Sequence, residues 1–363
     1  MPQLDIEQIK QRLKDVIDSN LGQDLESAKA IKDINLEKGH VSVSLELGYP
    51  ALGYQQELVD SVSEALNSLA DISSIDVKVV SNIVSHAVQK GVKPLANVKN
   101  TIAIASGKGG VGKSTTAVNL ALALQAEGAK VGILDADIYG PSQPRMLGCH
   151  QKPESPDGKK LSPNVSYDIQ SMSIGYLIDE ETPMIWRGPM VTSALEQLLT
   201  DTNWSDLDYL IIDLPPGTGD IQLTLCQKIP VSGAIIVTTP QDIALLDARK
   251  ALKMFQKVEV SVLGIIENMS THICSQCGHE EHIFGSGGGA EMANQYEVDL
   301  LGSLPLDITI REGVDCGKPT VAIYPDSAIT MNYRSIARKA AALLALRSRD
   351  MSGKFPKIVV ENS

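Results

Sequence analysis

The sequence predicts two α/β units in tandem, the larger built on a mainly parallel β-sheet flanked by helices. Three observations carry this prediction. The chain has 363 residues, more than one domain usually holds. From residue 100 onward, apolar runs of strand length alternate with helical patterns, as parallel βαβ units require. One glycine-rich stretch, Gly107-Lys108-Gly109-Gly110-Val111-Gly112-Lys113-Ser114, follows the first of those runs and opens the first of those helices. That is the setting of a phosphate-binding P-loop, so the expected fold is a P-loop NTPase preceded by a small α/β domain.

The small domain is expected over residues 1–85. Ile6, Ile9, Leu13, Val16 and Ile17 recur at helical spacing, followed by a strand over 30–36 and a turn at Lys38-Gly39. Val41, Val43, Leu45 and Leu47 alternate as a second strand; a helix over 55–69 and a strand over 75–80 close the unit. This order of helix, two strands, helix and strand resembles the PaaD-like domain that accompanies iron-sulfur assembly factors. The acidic-proline turn of that family reads Gly22-Gln23-Asp24-Leu25 here, and the domain has no cysteine, so docking is its expected role. Residues 86–99, with Gly91, Pro94 and Asn97, read as a linker. The NTPase domain is expected over 100–350, with strands at 101–105, 130–134, 209–212, 234–238, 260–266 and 299–303. Residues 351–363 read as a loosely paired tail.

Composition excludes several classes. A net charge of -12 and 4% aromatic residues disfavour nucleic acid as a partner. No apolar run approaches the ~18 residues of a bilayer span, and Asp5, Glu7, Lys10, Arg12 and Lys14 stand where a signal peptide needs an apolar core. A cytoplasmic location without a membrane partner is expected, and the five cysteines are then candidate metal ligands, reactive groups or buried small residues rather than disulfides. A helical pattern over 329–346 carries Arg334, Arg338, Lys339 and, just beyond it, Arg347 and Arg349. Such a helix suits an anionic membrane surface or the sheet, and its run from Ala340 to Leu344 favours the sheet.

Ligands bind beyond the carboxyl ends of parallel strands, and each polar motif of the larger unit falls at such an end. The P-loop glycines let backbone N–H groups curl around phosphate oxygens at a helix N-terminus. Lys113 then reaches the β- and γ-phosphates, Ser114 offers its hydroxyl to Mg²⁺, and Thr115 adjoins the same site. Asp135-Ala136-Asp137 follows the strand over 130–134. Asp213 follows four apolar residues and opens the segment Asp213 to Asp220, the expected form of a Walker-B aspartate that holds Mg²⁺.

Two of five cysteines and three of six histidines lie between His272 and His282, a density that points to metal. Three readings compete for Cys274-Ser275-Gln276-Cys277. One is a zinc site completed by His279 and His282. Another is a redox-active dithiol. In the third, two chains contribute two thiolates each to a Cys₄ cluster site. Cys149, Cys226 and Cys316 are isolated.

Lys108 inside the loop makes this the deviant P-loop, similar to that of the MinD, ParA and nitrogenase-iron-protein group of ATPases. The resemblance implies that Lys108 crosses a dimer interface to the partner's phosphates, as an arginine finger does in trans. It also implies that Asp137 orients the attacking water and that residues 213–220 form the second switch. No Asn-Lys-x-Asp guanine-reading motif occurs, which favours ATP. Asn268 resembles the adenine-contacting asparagine of the group, and Pro305 opens the turn that forms the other wall of the base pocket. With the Cys-x-x-Cys after Asn268-Met269-Ser270, the ensemble closely resembles the Mrp/ApbC family of iron-sulfur carrier ATPases over residues 100–340. That resemblance implies a homodimer in which Cys274 and Cys277 of each chain bridge a labile 4Fe-4S cluster. It further implies ATP hydrolysis with Mg²⁺, apo iron-sulfur proteins as acceptors, and a scaffold protein as donor. Trp186-Arg187-Gly188-Pro189 also resembles a motif of the family and is expected to start a helix. The rival readings are a positioning ATPase of the ParA/MinD kind with a structural zinc site, and a reductase like the nitrogenase iron protein.

Overall fold

The structure, a computed structural model, describes residues 4–178 and 188–347. Trp186, Arg187, Arg349 and the expected tail lie outside the described residues.

In the N-terminal unit, α1 (Ile6–Leu13) opens on a capping box. Asp5 Oδ1 accepts the Gln8 N–H at 2.8 Å, and Gln8 Oε1 accepts the Asp5 N–H at 3.1 Å. The helix is shorter than its apolar spacing suggested. Ile17 instead begins a two-residue ladder, Ile17–Asp18 with Gln23–Asp24. Asp18 is the buried carboxylate of that turn, accepting the Tyr49 hydroxyl at 2.6 Å and the Asn20 N–H at 2.9 Å. β1 (Ile31–Glu37) pairs antiparallel with β2 (His40–Leu47), and β2 pairs parallel with β3 (Ser74–Ser81), the crossover being α2 (Gln55–Asn67). Val41, Val43, Leu45 and Leu47 turn inward as their alternation requires, meeting Ile9, Leu13, Leu58 and Val62 of the two helices.

The larger unit forms around β4 (Val98–Ala105), β5 (Val131–Asp135), β6 (Asn164–Ser166), β7 (Ile169–Ser173), β8 (Leu207–Asp213), β9 (Gly233–Thr238), β10 (Val262–Glu267) and β11 (Asp299–Ser303). Their order across the sheet is β11-β10-β9-β4-β8-β5-β7-β6, parallel except for the final β7/β6 pair. Helices α3 (Lys113–Ala126), α4 (Gln143–Met146), α5 (Gly188–Asp201), α6 (Asp220–Lys228), α7 (Asp242–Lys257), α8 (Gly288–Gln295), α9 (Ile308–Asp315), α10 (Thr320–Ile323) and α11 (Ala328–Ala345) complete it. Strand residues alternate between two cores. Ile102, Ile104, Tyr209 and Ile211 face α3 and α11, whereas Ala103, Ala105, Leu210 and Ile212 face α5, α6 and α7.

The six expected strands all form, with ends shifted by at most about three residues. β6 and β7 were not expected. Ser171 and Ser173 occupy buried positions of β7, so the strand lacks an apolar alternation; Ser171 Oγ bonds Tyr176 at 2.7 Å instead. The segment before β4 is fastened rather than loose. Gln89 Nε2 donates to the Cys226 and Ile229 carbonyls at 2.7 and 2.6 Å, and the His86 N–H donates to Asn100 Oδ1 at 3.1 Å.

α11 packs on α3 and the sheet, burying Tyr333, Ile336, Ala337, Ala340, Ala341 and Leu344. Its basic residues are used inside the molecule. Arg334 Nε and Arg338 Nη1 reach Glu127 Oε1 at 2.7 and 2.6 Å, and Lys339 Nζ donates to the Leu300 carbonyl at 2.7 Å. Glu127 Oε2 also accepts the Gly53 N–H at 2.8 Å, and its carbonyl accepts the Leu52 N–H at 3.1 Å. The C-terminal end of α3 is thus tied to the N-terminal unit, and the apolar residues of that unit join the α3 side of the sheet in one core. Among the described residues, no helix is long and apolar enough to cross a membrane.

Candidate functional site

The P-loop, the two acidic segments and the Cys-x-x-Cys segment all leave the sheet at the carboxyl ends of β4, β5, β8 and β10. Asp135 and Asp213 are the last residues of neighbouring parallel strands and stand in register, both fully buried. Gly112, with φ 81°, turns the chain into α3, and a Cβ there would lie 2.2 Å from Asn268 Nδ2. Gly107 is needed for a different reason: a Cβ would meet the backbone of Asp247 in α7 at 2.1 Å. The first backbone N–H groups of a helix have no partner within it, so the α3 N-terminus is suited to phosphate oxygens.

The Lys113 ammonium is buried and paired with the Asp213 carboxylate, and it donates to Ser114 Oγ at 3.1 Å. Gln143 Nε2 donates to Asp213 Oδ2 at 2.9 Å and to the Ser114 carbonyl at 3.1 Å. Asp135 Oδ2 accepts the Ser142 and Gln143 N–H groups at 2.9 and 3.0 Å and the Ser173 hydroxyl at 3.0 Å. Its Oδ1 accepts the Asp137 N–H at 3.2 Å. Burial, and then the charge of Asp213, push the Asp135 carboxyl up to about 7 against those hydrogen bonds. Burial also raises Asp137, which lies half-buried beside the same ammonium.

Gln143 Oε1 and Ser142 Oγ are buried without a partner in this cluster. Orphaned oxygens beside two carboxylates and the Ser114 hydroxyl make an all-oxygen donor set, which fits a hydrated hard cation such as Mg²⁺. Gln143 and Ser173 were not singled out from the sequence, because neither belongs to a motif. Their only signal is position: Gln143 follows Asp135 by eight residues, as the first residue of α4.

Asn268 is buried, and its Nδ2 donates to the Val111 carbonyl at 2.9 Å. Pro305 is half-buried on the adjoining segment, which pairs with the chain after β10 through the Leu304 N–H to the Glu267 carbonyl (2.9 Å) and the Leu306 N–H to the Thr271 carbonyl (2.7 Å). The two expected walls of the base pocket are therefore neighbours. Lys108 is half-exposed, and among the described residues it has no ion-pair partner; its carbonyl accepts the Ser106 hydroxyl at 2.9 Å. Gly109 and Gly110 are exposed, while Ser114 and Thr115 are half-buried at the start of α3.

The Cys-x-x-Cys segment is the tip of a small hairpin, His272–Ile273 paired with Glu280–Glu281. The Cys274 N–H donates to the His279 carbonyl at 2.9 Å, and the Gly278 N–H, with Gly278 at φ 71°, donates to the Cys274 carbonyl at 2.8 Å. Backbone N–H groups of Gln276 and Cys277 point at the Cys274 sulfur and hold its thiol below the ordinary value. Cys274 is half-exposed and Cys277 exposed. His282 donates from Nδ1 to the Ser270 carbonyl at 2.9 Å, and His279 lies 3.9 Å from Glu281. Among the described residues, no three His, Cys, Asp or Glu side chains are gathered as a metal-ligand set. The hairpin presents two thiols.

Comparison with known proteins agrees with both halves of this description. Residues 97–341 match the family described as NUBPL iron-transfer P-loop NTPase, and residues 6–79 match the family described as iron-sulfur cluster assembly protein. The iron-sulfur cluster carrier protein of Escherichia coli strain K12 is 51% identical over 336 residues, covering 92% of this chain and 91% of that one. The mouse iron-sulfur cluster transfer protein NUBPL is 45% identical over 313 residues, covering 86% and 95%. Among solved structures, a nucleotide-binding protein from Archaeoglobus fulgidus, in complex with ADP and with cobalt found, is 35% identical. It superposes with a TM-score of 0.55 over 65% of this chain and 91% of its own. A rim built for phosphates, a two-thiol hairpin and these relatives lead to one assignment: the chain is a P-loop NTPase that belongs to the iron-sulfur cluster carrier protein family.

Proposed function

We propose that the protein is a homodimeric ATPase whose cargo is a labile 4Fe-4S cluster, held between Cys274 and Cys277 of each protomer and passed to apo iron-sulfur proteins. The observation that carries this reading is the hairpin tip: two accessible sulfurs, one already receiving two backbone N–H groups, and no third ligand beside them among the described residues. A Cys₄ site needs a second pair, and a two-fold axis supplies it. Exposed Ile273 and Ile283 flank the cysteines, and exposed Ile243 and Leu246 stand on α7 next to the P-loop, an apolar surface suited to a second copy of the chain. A scaffold protein is the proposed donor.

The nucleotide roles follow the geometry of the rim. Ser114 and Asp213 are the proposed Mg²⁺ ligands, and the backbone of residues 107–115 with Lys113 is the proposed phosphate cradle, with Asn268 and Pro305 flanking the base. Bound Mg·ATP supplies the scissile phosphoanhydride. Lys113 must exchange the Asp213 carboxylate for phosphate oxygens when nucleotide enters, which frees Asp213 for the cation. Asp137, on the loop after β5, positions water. Lys108, unpaired by any described residue, reaches the phosphates of the partner.

Anaerobic reconstitution tests the cargo. Wild type is expected to retain iron and sulfide with a broad visible absorbance, and the Cys274→Ala/Cys277→Ala double variant to retain neither. Equal iron, sulfide and absorbance in the two proteins would remove the carrier reading. For Lys108→Ala, ATP turnover is expected to fall by about 10³-fold or more, the range of a finger supplied in trans. The cluster-bridged dimer should persist in size-exclusion chromatography, and unchanged phosphate release would count against the trans role. The positioning-ATPase reading predicts ATP-dependent sedimentation with liposomes or DNA. It gains no support from α11, whose Arg334, Arg338 and Lys339 are engaged within the fold.

A further inference from the structure

We propose that Asn268 is the positioning residue through which the P-loop and the cysteine hairpin respond to one another. The inference rests on the carrier reading above. The loop that bears Cys274 and Cys277 leaves the end of β10 and returns to it. At the exit stands Asn268, whose amide grips the Val111 carbonyl of the P-loop at 2.9 Å, while its own N–H is fixed to the Thr238 carbonyl at 2.7 Å. At the return, the Gly289 N–H in the first turn of α8 is held by the carboxylate of Glu267, the preceding residue, at 2.6 Å.

Between exit and hairpin the chain is pinned again. Met269 takes a left-handed φ of 57°, an unfavourable conformation for a residue with a side chain. The Ser270 N–H and hydroxyl both donate to the Leu304 carbonyl at 3.0 Å, and the Ser270 carbonyl receives His282 Nδ1 from the far side of the hairpin at 2.9 Å. Both strands of the hairpin therefore hang from residues 267–270, and one side chain of that patch is bonded to the phosphate loop. A Cβ on Gly112 would lie 2.2 Å from Asn268 Nδ2, so the asparagine is packed directly against the loop backbone. Any shift of the Val111 carbonyl as phosphates fill the loop is delivered to the chain six residues before Cys274. Met269, strained in the left-handed region, is where a rotation can pass it on to Ser270 and the hairpin. This is a contiguous chain of bonds and close contacts from one site to the other, which is what coupling needs.

Coupling of this kind is reciprocal, so it is read from either end. The experiment measures iron loss from reconstituted protein to a ferrous chelator, with and without ATP at a concentration that saturates each protein. It is run on wild type, Asn268→Ala and the near-isosteric Asn268→Asp, which presents an acceptor to the Val111 carbonyl. In wild type, ATP is expected to change the rate by about 5-fold or more, the usual lower range of an allosteric factor. Both variants, each compared with its own nucleotide-free protein at saturating ATP, should bring the ratio close to one. A merely structural role would instead lower the cluster content without ATP and leave the ratio intact. A wild-type ratio of one, or variants that keep the wild-type ratio, would overturn the proposal while leaving the carrier reading standing. Failure of wild type to hold any cluster would overturn the carrier reading and this proposal with it.

Discussion

Lys113→Ala is expected to abolish nucleotide turnover and, in the same protein, to lower the stability of the nucleotide-free state. Among the described residues, Lys113 is the cation set against two fully buried carboxylates, Asp213 directly and Asp135 beside it in register. Removing one partner of a buried pair costs about 3–5 kcal/mol, because the remaining charge stays desolvated. The loss should depend on pH. Asp135 is pushed from 3.8 up to about 7 by burial and by Asp213, so between those values the folded state binds more protons than the unfolded one. Stability from this group is therefore full below the lower value and declines as pH rises through the window. Without the ammonium that electrostatic penalty grows, so the variant should be several degrees less stable than wild type at pH 8 and closer to it at pH 5.5. Scanning calorimetry at the two pH values, with phosphate release assayed in parallel, checks both halves. An unchanged transition at pH 8 would mean that Asp213 finds another counter-charge.

The second large effect is expected at the opposite end of the same helix. Glu127→Ala should cost about 3–5 kcal/mol, again because charges are left buried without their partner. The Glu127 side chain is fully buried between Arg334 and Arg338, whose own side chains are only 18% and 16% exposed. Without the carboxylate, two guanidinium groups face each other, the Gly53 N–H loses its acceptor, and the N-terminal unit loses the side-chain part of its attachment to α3, the Leu52 N–H keeping the Glu127 carbonyl. Urea unfolding should show a lowered midpoint, and limited proteolysis should find new cleavage between the two units. Glu127→Gln, which keeps an acceptor for Gly53 but not the charge, should fall between. A wild-type midpoint in the alanine variant would show that apolar packing alone holds the units together.

Much of this rim was legible in the sequence because its parts are local. The P-loop, Asp137, Asp213 and the Cys-x-x-Cys each lie within a few residues of a strand end, and an apolar run followed by a polar motif reads the same in any parallel sheet. What was not legible depends on residues that meet only after folding. Gln143 reaches Asp213 across 70 residues of chain, Ser173 reaches Asp135 across 38, and Glu127 reaches Arg334 across 207. β7 is hard to read because two of its buried positions, Ser171 and Ser173, are serines satisfied by hydrogen bonds, which periodicity registers as polar. Asp18 escaped for a related reason: one acid in an acidic segment carries no mark that it, rather than Asp15 or Asp24, is the one buried under Tyr49. The basic face of α11 was ambiguous until Glu127, Leu300 and Asp299 were found to use it.

α3 runs antiparallel to the strands, and its 14 residues at 1.5 Å each carry it about 21 Å. Its beginning lies at the P-loop and its end beneath the N-terminal unit, so that unit sits at the pole of the molecule away from the P-loop. A protein docked on the N-terminal unit would arrive at that pole, while the cysteines stand at the other. Such a protein would have to be large enough to reach around the sheet, or to let go of that foothold, before it met the cysteines.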